Sequence, residues 1–189
     1  MSDKSGFVIN AEDQQYGQFL RAISASKTNG LFLVVDVKPA TASSGHLAWI
    51  IAGLSNDSKL LATNDNAQEL AVVRQYLDTD LRVAFHLQNT HSFVQDISHH
   101  RFNLIYVNQA VDTETANTLQ TMLMQGGVLI CNPATNKDLV CVCQEVASFI
   151  PLPAPLEKNG LKLYVKGERP LRRRGGRKAK NSRPSLRTA

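Results

Sequence analysis

Imidazoles, thiols, carboxylates and a run of guanidinium groups are the side chains in this 189-residue sequence that could carry chemistry. His86, His91, His99 and His100 crowd together, and His46 stands apart behind Gly45. An imidazole titrates near neutral pH, so each could exchange a proton with a substrate. The surrounding pattern narrows the chemistry. There is no HExxH, no GxSxG and no GxxxxGK[ST], so the sequence lacks the zincin, serine-hydrolase and P-loop signatures. The thiols are Cys131, Cys141 and Cys143, an odd and sparse set without CxxC spacing. That excludes a secreted disulfide framework and a cysteine zinc site, and suits thiols kept in a reducing compartment.

The densest chemistry lies at the C-terminus. From Arg169 to Ala189 there are nine Lys and Arg and no acid. The first 168 residues hold twelve basic and sixteen acidic side chains, a formal charge of −4, so the overall +5 belongs to the tail. With two leucines and no aromatic residue, residues 169–189 cannot bury a core. Cations at this density suit polyphosphates with a strong salt dependence, and Arg/Gly segments order on RNA. The tail, Arg169 to Arg187, therefore reads as a contact for RNA or DNA, or for an acidic protein partner. A solvated or targeting end is the competing reading. No apolar stretch approaches the ~20 residues of a membrane span, and the N-terminus lacks the basic-then-apolar order of a signal peptide. A cytoplasmic protein is expected, and its oligomeric state is not set by the sequence.

Side chains act only where elements hold them. Five apolar runs recur: Leu31–Val37, Lys59–Thr63, Leu81–Leu87, Phe102–Val107 and Val128–Cys131. Their near-continuous Val, Ile, Leu and Phe predicts strands covered on both faces, as in a parallel sheet. Helical spacing fills the gaps at Gln14–Ser26, Ser43–Leu54, Asn66–Leu77, Thr113–Gln125 and Asp138–Phe149, with a short helix in His91–Ser98. Ser43 and Ser44 are candidate caps for the second helix, and Asp65 or Asn66 for the third. Gly126–Gly127 reads as a C-terminal stop, and Met122 and Met124 as core filler. Phe149–Pro155, a turn at Glu157–Gly160 and Leu161–Lys166 read as a closing antiparallel hairpin. The fold expected for residues 1–168 is a doubly wound α/β domain with a mostly parallel, roughly seven-stranded sheet. Ligands in such sheets bind beyond the carboxyl ends of the strands. His46 and His91 fall on that side, His91 equally as a plain loop histidine. His99 and His100 fall on the opposite edge, and His86 packs within its strand.

This order of elements resembles the class I S-adenosylmethionine-dependent methyltransferases, with the closest look in the small O-methyltransferases related to catechol O-methyltransferase. The resemblance covers Tyr16 to Lys166. Its carriers are YGQFL (16–20), LFLVVDV followed by SSGHLAWIIAGL, FNLIYVNQA beside the family's FDLVFIDAD, and LMQGGVLICNP beside LRPGGLLVADN. It implies a Rossmann-like methyltransferase fold, S-adenosylmethionine as cofactor, and a cofactor-binding set of Asp36, Gly45, Thr63, Asp65, Asn89 and Asn108. Asp36 stands at the family's strand-one acid and is also a strand-end loop residue. Thr63 falls at the ribose acid, with Asp65 as a substitute acceptor or a helix cap. Asn89 falls at the adenine-side acid. The family's glycine-rich loop reads KPATASSG (38–45), where only Gly45 remains. In metal-dependent members an Asp after strand four and an Asp-Asn pair after strand five bind a divalent cation. Here those places read Asn108 and Asn132-Pro133, which bring no charge to a hard cation. No metal is expected, and the resemblance assigns no catalytic residue. Two functions follow: a divergent, metal-independent methyltransferase, or a catalytically inactive methyltransferase-like scaffold that binds nucleic acid through its basic tail.

Overall fold

A computed structural model describes residues 11–38, 45–77, 79–145, 149–152 and 161–167. Residues 39–44, the turn at 157–160 and the tail 169–189 lie outside them, and with them the two-serine cap. Seven strands form one sheet: β1 (Leu31–Val35), β2 (Lys59–Asn64), β3 (Val83–Leu87), β4 (Phe102–Val107), β5 (Leu123–Cys131), β6 (Phe149–Leu152) and β7 (Lys162–Lys166). Their spatial order is β3-β2-β1-β4-β5-β7-β6. The first five run parallel, and β7 lies antiparallel between β5 and β6. The closing hairpin is therefore part of the main sheet.

Period-two alternation sends each strand's side chains to two faces. Phe32, Val34, Leu104, Tyr106, Val128 and Ile130 join one core with α1 (Ala11–Ala25), α2 (His46–Gly53) and α3 (Ala67–Leu77). Leu33, Val35, Ile105, Val107, Leu129 and Cys131 join a second core with α4 (Thr90–Asp96), α5 (Thr113–Met122) and α6 (Lys137–Glu145). Burial on both faces explains the unbroken apolar run of β1 and the near-continuous one of β4. At the sheet edge β3 is half-exposed, and Leu87 is largely open to solvent. Arg74 of α3 reaches over it, donating from Nη2 to the Phe85 carbonyl at 2.9 Å, with its guanidinium over the Phe85 ring.

Several boundaries differ from the sequence expectation. Of the two candidate caps for the third helix, Asn66 is the one used: its Oδ1 accepts from the Gln68 and Glu69 amides at 2.9 and 3.2 Å. The fifth helix ends at Met122, and Gly126–Gly127 lies inside β5 instead of stopping a helix. Gly126 has φ +72°, which glycine adopts without a Cβ penalty, beside a register shift between β4 and β5. Met122 is core, but Met124 is 42% exposed and is not filler. On the amino-terminal side of the sheet, Arg82 closes the end of α2. It grips Asp80 at 2.6 and 2.9 Å and donates to the Leu54 carbonyl at 2.6 Å. A cation at a helix C-terminus satisfies carbonyls that lack helical partners.

Candidate functional site

The strand order reverses between β1 and β4, and the crevice at a doubly wound sheet's reversal point is where ligands bind. Asp36, directly after β1, enters it with φ +59°. The left-handed region is uncommon for a residue other than glycine, and such backbone gathers at functional sites. Three contacts hold it there. The Asn108 amide donates to the Asp36 carbonyl at 2.9 Å, the Asn108 backbone N–H donates to Val35 O at 3.1 Å, and Val37 N–H donates to Thr63 O at 3.0 Å. The Asp36 side chain is 4% exposed and receives Lys38 Nζ at 2.9 Å. Burial pushes its carboxyl pKa up, and the neighbouring Lys38 only partly pulls it back.

At the end of β2, Thr63 is fully buried and its hydroxyl donates to the Gln88 carbonyl at 3.1 Å. The last residue of β2 is Asn64. Its Nδ2 donates to Val37 O at 2.6 Å and to Glu69 Oε2 at 3.0 Å, while its Oδ1 accepts from the Asn66 amide at 2.5 Å. Glu69 also receives Lys38 Nζ at 3.1 Å. The hydrogen bonds from Asn64 and then Lys38 hold its carboxyl below the usual range. Asp65 is exposed and adds negative charge near Asp36. Thus Asp36, Lys38, Asn64 and Glu69 form one connected polar cluster at the carboxyl ends of β1 and β2, with Asn108 tied to it from β4.

The remaining expected residues have other partners. Gly45 is the residue before α2, at φ −65°, and it supplies no side-chain cap. Asn89 is exposed and caps α4, its Oδ1 accepting from the His91 amide at 3.0 Å. His91 turns to α5, with Nδ1 3.0 Å from Thr115 Oγ1 and 3.4 Å from Asp112 Oδ2. It joins two helices and does not enter the cluster. His86 is half-buried against the Phe93 ring, and burial followed by the Arg74 charge pushes its pKa down. His99 and His100 stack on each other just before β4. His46 opens α2, its Nδ1 2.6 Å from Tyr106 Oη and its ring edge-on to Tyr16. Burial pushes the Tyr106 phenol pKa far up.

Sequence reasoning missed Lys38, Asn64 and Glu69 as site residues, and the Tyr16–His46–Tyr106 group. One signal was present: Asn66 and Glu69 have the spacing of a capping box. Here the glutamate reaches Asn64 and Lys38. The tyrosines carried no signal, because Tyr106 and His46 stand sixty residues apart.

The donor set does not fit the divalent cation of metal-dependent O-methyltransferases. Asn132 Oδ1 accepts from the Ala134 amide at 2.9 Å, and Asn108 spends its amide on the Asp36 carbonyl. Among the described residues, no three His, Cys, Asp or Glu gather to hold a metal ion. A hard cation gains little from two neutral amides and a proline. Restoring charge with Asn108→Asp should cost stability instead of creating a site. The carboxylate loses the donated hydrogen bond and faces the Asp36 carbonyl, a loss of about 1–2 kcal/mol. Thermal melts with and without millimolar Mg²⁺ check this; a melting temperature raised by Mg²⁺ in that variant would show a metal site.

No family model and no curated protein sequence matches this chain. Solved structures do. A protein from Klebsiella pneumoniae solved as a "putative O-methyltransferase" superposes with a TM-score of 0.63 at 14% identity, over 86% of this chain and 83% of the other. An O-methyltransferase from Bacillus cereus, solved in complex with S-adenosylhomocysteine, gives 0.60 at 13% identity, over 84% of each. An N-methyltransferase from Bradyrhizobium japonicum, also solved with S-adenosylhomocysteine, gives 0.59 at 12%, over 84% and 89%. At these identities the likeness is one of fold, and it spans proteins that methylate oxygen and nitrogen. The strand order 3-2-1-4-5-7-6, the closing antiparallel hairpin and these superpositions together give this chain the Rossmann-like fold of the class I S-adenosylmethionine-dependent methyltransferases.

Proposed function

We propose that this chain is a divergent, metal-independent methyltransferase-like protein whose crevice takes S-adenosylmethionine weakly. The observation that carries the reading is Asp36: a buried carboxylate on left-handed backbone at the point where the strand order reverses. A carboxylate there suits a ligand that brings hydroxyl donors and positive charge. Asp36 and Glu69 would hold the cofactor's donors, with the exposed Asn89 amide available to a base edge. The cofactor supplies an electrophilic methyl group when bound. The chain's own part is to bind, orient and exclude water. His46 is the imidazole at the carboxyl edge, held by Tyr106.

The expected weakness has two causes. The loop 38–45 has a single glycine, so its backbone is less free to approach a ligand. The end of β2 offers an amide, Asn64, whose donors and acceptor are already used. Calorimetry on the full chain with S-adenosylmethionine and S-adenosylhomocysteine should give Kd on the order of 100 µM, roughly −5.5 kcal/mol. A chelator should leave it unchanged. Submicromolar binding would contradict the argument from the loop and Asn64.

The second reading is a scaffold that has lost turnover and binds RNA or DNA through its tail. The nine uncompensated cations at 169–189 favour it, as does the internal pairing of the crevice acids. No heat at millimolar cofactor would decide for it. No helix among the described residues is long and apolar enough to cross a membrane.

A further inference from the structure

We propose that Lys38 is an internal occupant of the crevice, its ammonium standing in for the cationic and hydroxyl donors of an adenosyl ligand and setting the affinity of the site. The inference rests on the cofactor reading above and adds a residue that determines which ligands enter.

Lys38 bridges two carboxylates on two different elements. Its Nζ lies 2.9 Å from Asp36 Oδ1 after β1 and 3.1 Å from Glu69 Oε2 in the first turn of α3. The backbone just before it is pinned on both sides. Val37 N–H donates to Thr63 O, and Val37 O accepts from Asn64 Nδ2. Asn64 also holds Glu69, so the bridge is anchored at both ends. The Lys38 side chain is 44% exposed, whereas that of its partner Asp36 is nearly sealed at 4%. Among the described residues, the cation paired with the buried acid is thus the more exposed partner. A ligand that needs Asp36 must first move Lys38.

Charge decides the consequence. Asp36, Glu69 and Lys38 together carry −1, and without the ammonium they carry −2. A buried carboxylate left unpaired is costly, so a ligand that re-pairs it gains what the lysine gave up. Replacing Lys38 with methionine keeps the apolar stem and removes the charge. Affinity for S-adenosylmethionine should rise at least about tenfold. Adenosine has ribose hydroxyls but no ammonium or sulfonium, and it should gain less. Lys38→Arg keeps the cation and should bind like the wild type.

The test is calorimetry of the full chain, wild type, Lys38→Met and Lys38→Arg, with S-adenosylmethionine and adenosine. Tighter binding by the methionine variant alone supports the plug. If wild type binds and Lys38→Met binds equally or more weakly, the plug is overturned and the cofactor reading stands, with Lys38 helping to hold the ligand. If neither binds, both fall. Should Lys38→Met fail to fold, nitrogen-detected NMR of the wild-type lysine ammonium groups gives an independent answer. The Lys38 signal should change environment as S-adenosylmethionine saturates the protein; an unchanged signal at saturation overturns the plug.

Discussion

Gly53→Ala should lower the melting temperature by roughly 4–8 °C, although alanine is the better helix former. Gly53 is the last residue of α2 and is buried against α1. A Cβ there would lie 2.3 Å from the Arg21 carbonyl oxygen and 2.8 Å from Ser24 Cβ. Neither atom is the far end of a flexible side chain, so α1 must back away. Overpacking of this kind costs about 3 kcal/mol at the upper end, and the helix propensity of alanine returns about 1 kcal/mol. The net of about 2 kcal/mol gives that shift for a chain of this size. Gly17 offers an internal comparison. Its Cβ would meet the Trp49 ring at 2.2 Å, but a ring can turn aside, so Gly17→Ala should cost less. The loss at Gly53 should also disturb Tyr16, which α1 holds against His46, and near-ultraviolet circular dichroism should register it. A Gly53→Ala protein as stable as the wild type would show that α1 slides over α2 freely.

Truncation after Glu168 should abolish nucleic-acid binding at low salt while leaving the melting temperature unchanged. The argument is electrostatic. All nine cations of 169–189 go, and the remaining chain carries −4 and repels phosphates. For the full chain, log affinity against log salt should fall with a slope of several units. A slope near −4 means a loss of roughly 250-fold between 50 and 200 mM salt. Sequence preference should be weak, because extended Arg and Lys reach phosphates more readily than base edges. Salt series on both proteins, with RNA and DNA of equal length, measure this. Equal binding by both proteins would place the site on the folded part. No binding by either would leave the tail to a protein partner or to solvent.

The parts of the fold that could be read from sequence share a cause. β1, most of β4 and the end of β5 are buried on both faces, so burial writes itself as near-continuous apolar runs, and β2 keeps a shorter one. Helix faces follow the same logic, as with Leu70 and Val73 on α3 and Leu119 and Met122 on α5. What failed was local competition between equal signals. Gly126–Gly127 is a fair helix stop, but the chain uses its left-handed glycine at an irregularity inside a strand. Asp65 and Asn66 are both good caps, and only the direction of the side chain chooses between them. The site was harder to read. Asp36, Asn89 and Asn108 could be singled out from sequence because they end strands or begin helices in a known order. Lys38, Asn64 and Glu69 escaped because their meaning lies in mutual distance, across thirty-one residues from Lys38 to Glu69.

Arg74 has a further consequence for how the protein behaves in a crowded solution. An edge strand is a template on which another chain can add a strand and begin a fibril or a precipitate. β3 is such an edge, and it exposes Leu87. By binding the Phe85 carbonyl and lying over the Phe85 ring, Arg74 occupies one acceptor of that template and leaves a charge beside it. Removing that side chain with Arg74→Ala should therefore make the protein more prone to aggregate in concentrated solution, which light scattering would register, independently of anything the crevice binds.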